Sequence, residues 1–183
     1  MATFISILRG INVSGQKKIL MADLKNLYEN LGFGNVRTYI QSGNVVFDHG
    51  GKLAIQELVT QIEAGISKKY KFEVPVQVFS TAQMIDTLKN NPFLIEEGID
   101  ITKLHVTFLA ATPSNENLGK LSIPDYSPDK YIINGHNIYL FCPNGYGRTK
   151  LSNTYIERKL KSPATTRNWK TINTLVEMSK RNE

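Results

Sequence analysis

The order of strand-like and helix-like stretches in the first 80 residues restricts the fold of this chain more than any other feature. Short β-branched and aromatic runs alternate with stretches whose leucines and isoleucines recur at the spacing of one helix face. The predicted elements are a strand at 3–8, a helix ending at Gly32, strands at 36–40 and 44–48, a helix over 55–66 and a strand through 74–78. This βαββαβ order predicts a four-stranded antiparallel sheet with both helices on one face, the ferredoxin-like plait.

The second half of the sequence has a related order. Ser80, Thr81 and Gln83 form a capping pattern for a short helix, and residues 91–102 are interpreted as a linker. Strands are then predicted at 104–108 and on both sides of the Asn134-Gly135 dipeptide, and helices at 114–121, at 155–160 and from Trp169 onward. The expected fold class is α+β, with two tandem ferredoxin-like plaits and an additional C-terminal helix. Residues 1–80 are expected to form the first plait and residues 81–183 the second half, with its basic C-terminal helices.

Composition excludes several classes of protein. With 183 residues, of which 41% are hydrophobic and 21% charged, the chain has the composition of an ordinary globular protein. No apolar run is long enough to span a membrane, and the N-terminal patch lacks the form of a signal peptide, so no membrane association is expected. A single cysteine cannot form an intramolecular disulfide, so a reducing cytoplasm is the expected location. The single Cys142 and the three scattered histidines show no metal-ligand spacing, and neither a metal nor a cofactor is predicted.

The positive charge is concentrated at the C-terminal end. The net charge is +6, and residues 144–183 contain nine Lys or Arg against three acids, whereas the remainder is balanced. Such a segment can meet phosphate, nucleic acid or an acidic partner. The alternative is a pair of solvated amphipathic helices.

Four polar loops, at 9–18, 37–44, 145–152 and 165–168, combine cations with hydroxyls or amides. A guanidinium presents a planar fork of donors to phosphate or carboxylate, and glycine lets backbone N–H groups approach the same ligand. Neither the Walker A pattern nor the dinucleotide-binding glycine pattern is present. The predicted ligand-binding residues are Arg9, Asn12, Arg37, Ser42, Asn44, Arg148, Lys150, Thr166, Arg167 and Asn168.

The stretch PATTRNW is predicted to begin the last helix, with Thr165 or Thr166 as its cap and Arg167 and Asn168 in its first turn. An anion at that position would meet free backbone N–H groups. The alternative is a threonine cap beside an exposed arginine. No catalytic residue can be named, because Cys142 ends an apolar strand and is expected in the core.

Aromatic residues give little support for base recognition. Trp169 is expected in the core, and Tyr146 in the basic loop is the better candidate for stacking. The RNA-recognition pattern of several aromatics on a central strand is absent, since strand 44–48 carries only Phe47. Nucleic-acid binding would therefore depend on contacts to the backbone.

The segments LRGINVSG, MADL, RTYIQSGNVVF, LSN, ER and TTRNW together resemble an uncharacterised bacterial family, domain of unknown function 1697. The resemblance implies a pair of ferredoxin-like plaits and supplies no substrate or catalytic residue. The family pattern has two glycines after INV, and Ser14 stands at the first of these. Polar residues within the family segments favour a shared site, and the alternative is a structural network that ties loops together.

The function predicted from the sequence is binding of an anionic ligand, a phosphate-bearing nucleotide or a nucleic acid, through Arg9, Arg37 and Arg167. Two alternatives are an enzyme acting on a phosphorylated small molecule and a homo-oligomeric or partner-binding module. No base for the enzymatic reaction is identified by the sequence.

Overall fold

The computed structural model describes residues 1–122 and 125–180. These residues form a mixed α+β structure with two four-stranded antiparallel sheets and six α-helices. The strands are β1 (Ala2–Leu8), β2 (Gly34–Tyr39), β3 (Asn44–His49), β4 (Val76–Ser80), β5 (Leu104–Leu109), β6 (Lys130–Asn134), β7 (Asn137–Phe141) and β8 (Ala164–Asn168). The helices are α1 (Met21–Asn30), α2 (Ile55–Tyr70), α3 (Thr81–Lys89), α4 (Asn115–Ser122), α5 (Asn153–Leu160) and α6 (Trp169–Lys180). Short 3-10 turns occur at Pro92–Ile95, Ile101–Lys103 and Tyr146–Arg148.

The chain divides into two compact units. The first contains Met1–Asp86 together with helix α6 from Thr174 onward, and the second contains Thr87–Asn173. Helices α3 and α6 therefore each continue from one unit into the other.

In the first unit the strand order is β2-β3-β1-β4, and helices α1 and α2 pack on one face of the sheet. Leu8, Val45 and Phe47 project into that core because alternate residues of a strand share a face. A hydrogen bond of 2.8 Å between the hydroxyls of Ser6 and Tyr28 is buried within this core. The predicted element order of residues 1–80 is confirmed by these elements.

The second unit has the strand order β6-β7-β5-β8, with α4 and α5 contributing to its core. The predicted hairpin is confirmed: Gly135 lies between β6 and β7 with φ +59°, a conformation that glycine adopts without strain. Cys142 is fully buried in this core, as expected. Burial raises the pKa of its thiol to about 11.

The predicted helix start at residues 165–168 is wrong, because this segment forms strand β8. The strand pairs antiparallel with β5, with Thr166 opposite Thr107. β-branched threonines suit a strand as well as a helix cap, and pairing with a distant strand decides between the two. The cap of α6 is Asn168, whose Oδ1 accepts a hydrogen bond of 2.8 Å from the Thr171 N–H.

The capping predicted for α3 from the local sequence is confirmed. At the start of α3 the Ser80 N–H donates to Gln83 Oε1 at 2.8 Å, and the Gln83 N–H donates to Ser80 Oγ at 3.2 Å, which is the predicted reciprocal capping. The stretch 91–102, interpreted as a linker, contains the 3-10 turn Pro92–Ile95 and overlaps the turn Ile101–Lys103.

Candidate functional site

Arg37 is the predicted site residue with the most unusual surroundings. It lies in β2, an edge strand of the first sheet, directly opposite Val46 of β3, which is in turn opposite Ile5 of β1. Residues paired in this way share one face of a sheet, and this row lies on the face opposite α1 and α2. Ile5 and Val46 are completely buried. On this face, the neighbours of Arg37 across the adjacent strands are therefore apolar.

Two donor atoms of Arg37, Nε and Nη2, are shielded from solvent and have no hydrogen-bond partner among residues 1–122 and 125–180. These atoms form one edge of the guanidinium, the edge that binds two oxygens of a carboxylate or phosphate side by side. A buried donor without an acceptor costs about 1–3 kcal/mol of stability. Arg37 thus carries two directed, unused donors on a single edge.

The neighbouring acid, Asp48, is occupied by other donors. Its Oδ1 accepts from Thr3 Oγ1 and its Oδ2 from Asn35 Nδ2, both at 2.7 Å. Asn35 lies at the irregularity between Gly34 and Arg37 with φ +46°, so the local kink in β2 brings its amide to this carboxylate.

Asn12 joins two loops of the first unit. Its Nδ2 donates to the carbonyls of Ile19 at 2.9 Å and Gln41 at 2.8 Å, and its Oδ1 accepts from the Ile19 N–H at 2.9 Å. These contacts use both amide N–H groups and the oxygen, so the Asn12 side chain organises the loops. The first loop also contains a tight turn in which the Gln16 N–H donates to Val13 O at 3.0 Å.

Ser42 and Asn44 belong to the same loop framework. Asn44 is completely buried, and its Nδ2 donates to the Tyr39 carbonyl at 2.9 Å and to Ser42 Oγ at 3.0 Å. Arg9 follows β1, as predicted, and its backbone N–H donates to Pro75 O at 2.9 Å.

Gly43, which lies between Ser42 and Asn44, has φ +76°, and a Cβ there would lie 2.6 Å from Ile11 Cδ1. This position therefore requires glycine, because a side chain would both strain the backbone and collide with the core.

In the second unit Thr166 is the centre of a closed polar network. Its Oγ1 accepts from Tyr146 OH at 3.0 Å and donates to Asn153 Oδ1 at 2.6 Å. The Thr107 hydroxyl lies 2.6 Å away and must be the donor in that pair, since the Thr166 proton is already used. Thr166 has no hydrogen-bonding capacity left for a ligand.

Arg167 is buried and donates from Nη1 to the Thr166 carbonyl at 2.9 Å. Burial lowers the pKa of its guanidinium to about 10, and Tyr146 opposes this shift. By contrast, Arg148 and Lys150 lie exposed in the loop after β7. Asn168 caps α6 through its Oδ1, and its role at an anion site stays a prediction.

His105 and Tyr146 form an aromatic pair outside the predicted ligand-binding residues. Their rings stack with centroids 5.1 Å apart and an angle of 27° between planes. The His105 Nδ1 lies 3.1 Å from the Lys103 carbonyl, and burial lowers the pKa of the imidazole. A donated Nδ1–H leaves Nε2 as the basic nitrogen. The alternation that places His105 away from Leu104 and Val106 is the only sequence signal for this arrangement.

The predicted site residues fall into two groups. Arg9, Asn12, Arg37, Ser42 and Asn44 lie in the first unit, and Arg148, Lys150, Thr166, Arg167 and Asn168 lie in the second. That the two groups form one site stays a prediction.

The family model described as "Protein of unknown function (DUF1697)" matches residues 1–139. The chain belongs to this family. The matched residues of the DUF1697 family include all five site residues of the first unit and His105, whereas the segment from Arg148 to Asn168 lies outside them. No curated protein matches the chain.

A solved structure supports the fold of this DUF1697 protein. The chain is similar to "conserved bacterial protein SP0830 from Streptococcus pneumoniae", with a TM-score of 0.75 and 24% sequence identity. The alignment covers 98% of this chain and 99% of that one. At this identity the likeness establishes the fold alone.

Other features of the structure place limits on the chemistry. A cleft of about 420 Å³ in the first unit lies between one face of α2 and residues 73–75, and its lining carries Glu63 and Glu73 without a cation, so it does not suit an anion. Within the described ranges no group of three or more His, Cys, Asp or Glu side chains is arranged to hold a metal ion. None of the described helices has both the length and the apolar character needed to cross a bilayer.

Proposed function

We propose that this protein binds an anionic, phosphate-bearing ligand, a nucleotide or a nucleic acid, and that Arg37 is its principal anchor. The observation that carries the proposal is the pair of shielded donors, Nε and Nη2, with no acceptor among the described residues. An oxyanion would convert two unsatisfied donors into two charge-assisted hydrogen bonds. The position of Arg37 on an edge strand, inside the family match, also supports a ligand site.

The other predicted anchors fit this proposal in different ways. Asn12, Ser42 and Asn44 hold the loops in place through their hydrogen bonds. The exposed cations Arg148 and Lys150 provide positive charge that attracts a polyanion over distance.

The primary test is a titration of the intact protein with inorganic phosphate, AMP and a labelled single-stranded oligonucleotide, followed by calorimetry and thermal unfolding. The proposal predicts binding that Arg37→Gln weakens at least tenfold. Arg158→Gln removes the same charge from an exposed arginine on α5, next to Tyr155, and is expected to leave affinity unchanged. No binding of any of these anions, or equal binding by both variants and the wild type, would refute the proposal.

Nucleic-acid binding has a separate signature. If an oligonucleotide is the ligand, the logarithm of its affinity falls with the logarithm of salt concentration, with a slope of about 0.9 per phosphate contacted. Measurement at two ionic strengths tests this version. Binding that is insensitive to salt would exclude nucleic acid and leave a small phosphate compound.

The stacked pair of His105 and Tyr146 favours a second candidate, an enzyme acting on a phosphorylated small molecule. The contact of Nδ1 with the Lys103 carbonyl orients the ring, and a lowered pKa keeps the imidazole in its basic form near neutral pH. Turnover of nucleotides and phosphoesters should then be lost in His105→Gln and retained in His136→Gln. The absence of turnover in the wild type would exclude this candidate.

We also propose that each unit is a ferredoxin-like plait and that the chain is a tandem duplication, located in the cytoplasm. Support comes from the equal strand orders, β2-β3-β1-β4 and β6-β7-β5-β8, and from the two helices that accompany each sheet. Separate expression of residues 1–86 and 87–173 would test whether each forms a plait by itself.

A further inference from the structure

We infer that Arg37 selects a singly charged group with two terminal oxygens, a phosphodiester or a carboxylate, over a doubly charged phosphate monoester. This inference rests on the proposed function, because it specifies the chemistry of the anion at the same guanidinium. It is drawn from the number of free donors, the neighbouring side chains and the local charge.

The number of donors is the first argument. Of the Arg37 donors, Nε and Nη2 are shielded and have no partner among the described residues, and they lie on one edge of a planar group. Two parallel donors match two oxygens on one central atom. A phosphate monoester has three terminal oxygens, and its third oxygen needs another donor.

Two amides on this face are already engaged by other groups. The Asn35 amide is used by Asp48, and the Asn44 amide is used by Tyr39 O and Ser42 Oγ. The adjacent positions in the Arg37 row, Val46 and Ile5, are apolar and fully buried. The third oxygen of a monoester would therefore lose water without gaining a partner from either amide or from the apolar row.

Charge balance is the second argument. One guanidinium neutralises one negative charge, and the nearby carboxylate of Asp48 shares the sheet face with Arg37. A second charge on the ligand would be desolvated without a counter-charge and repelled by this carboxylate. A monoanion avoids both costs.

The experiment compares three small probes at pH 8: dimethyl phosphate, acetate and methyl phosphate. Dimethyl phosphate and acetate carry one charge, whereas methyl phosphate carries two because its second pKa is about 6. The inference predicts that at least one monoanion binds tenfold or more tightly than methyl phosphate. Lowering the pH to 5 removes the second charge, and methyl phosphate should then gain at least threefold relative to dimethyl phosphate.

Variants assign the binding to the guanidinium edge. Arg37→Lys keeps the charge and removes the fork, so the affinity for the preferred monoanion should fall at least tenfold, while Arg158→Lys should have no effect. If Arg37→Lys does not fold, the Nε–H resonance of Arg37 in the wild-type protein reports the same contact and should move on titration.

The outcomes separate the inference from the proposed function. Preference for dimethyl phosphate supports the inference and indicates a nucleic acid or another diester as the ligand. Preference for acetate also supports the inference and indicates a carboxylate ligand, which contradicts the phosphate part of the proposed function. Tighter Arg37-dependent binding of methyl phosphate at pH 8 overturns the inference and retains the proposed function. No Arg37-dependent binding of any probe overturns both.

Discussion

At the scale of single residues, the polar side chains of this protein differ in how completely they are satisfied. Asn12 uses all of its amide groups, and Thr166 uses both its proton and its acceptor capacity. Arg37 keeps two shielded donors without an acceptor among the described residues. Among the described residues His49, Tyr70 and Asn91 each have one such atom, whereas Arg37 has two on one edge. Because buried polar groups are nearly always paired in proteins, Arg37 is the best guide to a ligand.

Replacement of Arg37 by methionine tests whether these donors carry a cost in the free protein. Arg37→Met preserves much of the length of the side chain and removes the unsatisfied donors, so the free energy of unfolding without ligand should rise by about 1–3 kcal/mol. Urea unfolding measures this change. Arg158→Met, at an exposed position, should shift stability by less than about 0.5 kcal/mol. A marked loss of stability in Arg37→Met would instead show that Arg37 is a structural residue.

His105 should make stability depend on pH. Burial lowers its pKa in the folded protein below the ordinary value near 6.5, so the unfolded chain binds the proton more readily. The stabilising contribution of neutral His105 is therefore complete above that value and is lost as the pH falls below it.

Urea unfolding between pH 7 and pH 5 measures this effect. The decrease in unfolding free energy towards pH 5 should be smaller in His105→Gln than in the wild type, and His136→Gln at an exposed position should match the wild type. Identical pH profiles for wild type and His105→Gln would contradict the assignment.

At the scale of elements, the loop after β1 owes its shape to Asn12 and to a strained tight turn. Ser14 and Gly15, the central residues of the Val13–Gln16 turn, have φ of +50° and +75°. Two positive φ values define a turn that prefers Asn-Gly, and the strain at Ser14 agrees with the glycine of the family pattern.

Ser14→Asn should therefore increase the free energy of unfolding by about 0.5–1 kcal/mol, since asparagine tolerates this conformation better than serine. Thermal unfolding of the variant provides the measurement. Ser14→Val is the opposite control, because a β-branched residue is disfavoured at positive φ, and it should lower stability. Equal stabilities of the three proteins would show that the turn does not have this geometry in solution.

Strand β8 depends on the network around Thr166. Thr166→Val keeps the shape of the side chain and removes the hydroxyl that contacts the Tyr146 and Thr107 hydroxyls and Asn153 Oδ1. The expected loss is about 2–3 kcal/mol of unfolding free energy. Thr154→Val on the exposed side of α5 serves as the matched control and should change stability by less than about 0.5 kcal/mol. A loss in Thr166→Val no larger than in Thr154→Val would mean that the network adds no stability.

At the scale of the whole molecule, the sequence contains enough information for most of the fold. Strands β1 to β3 are predictable because they are short runs with β-branched and aromatic residues, β4 because its valines alternate, and α3 because Ser80 and Gln83 cap it reciprocally. The local sequence of β8 does not identify it as a strand. Its threonines suit a helix cap equally well, and only pairing with β5, far away in the sequence, makes it a strand.

The candidate site is less predictable than the fold. The sequence identifies Arg37 as a cation near a strand end, and this can be read from residue type and position. That its Nε and Nη2 lie shielded without an acceptor depends on packing in three dimensions. The stacking of His105 on Tyr146 likewise requires β5 and the loop after β7 to be brought together.

The most direct test of the central claim is the Nε–H resonance of Arg37, assigned by comparison with Arg37→Lys and followed while dimethyl phosphate, acetate or inorganic phosphate is added to the wild-type protein. Capture of an anion by the Nε and Nη2 edge predicts a saturable downfield shift of this resonance, with the Arg158 resonance unchanged. An Arg37 resonance that does not move at saturating anion, or that moves only in step with all other arginines, would contradict the account.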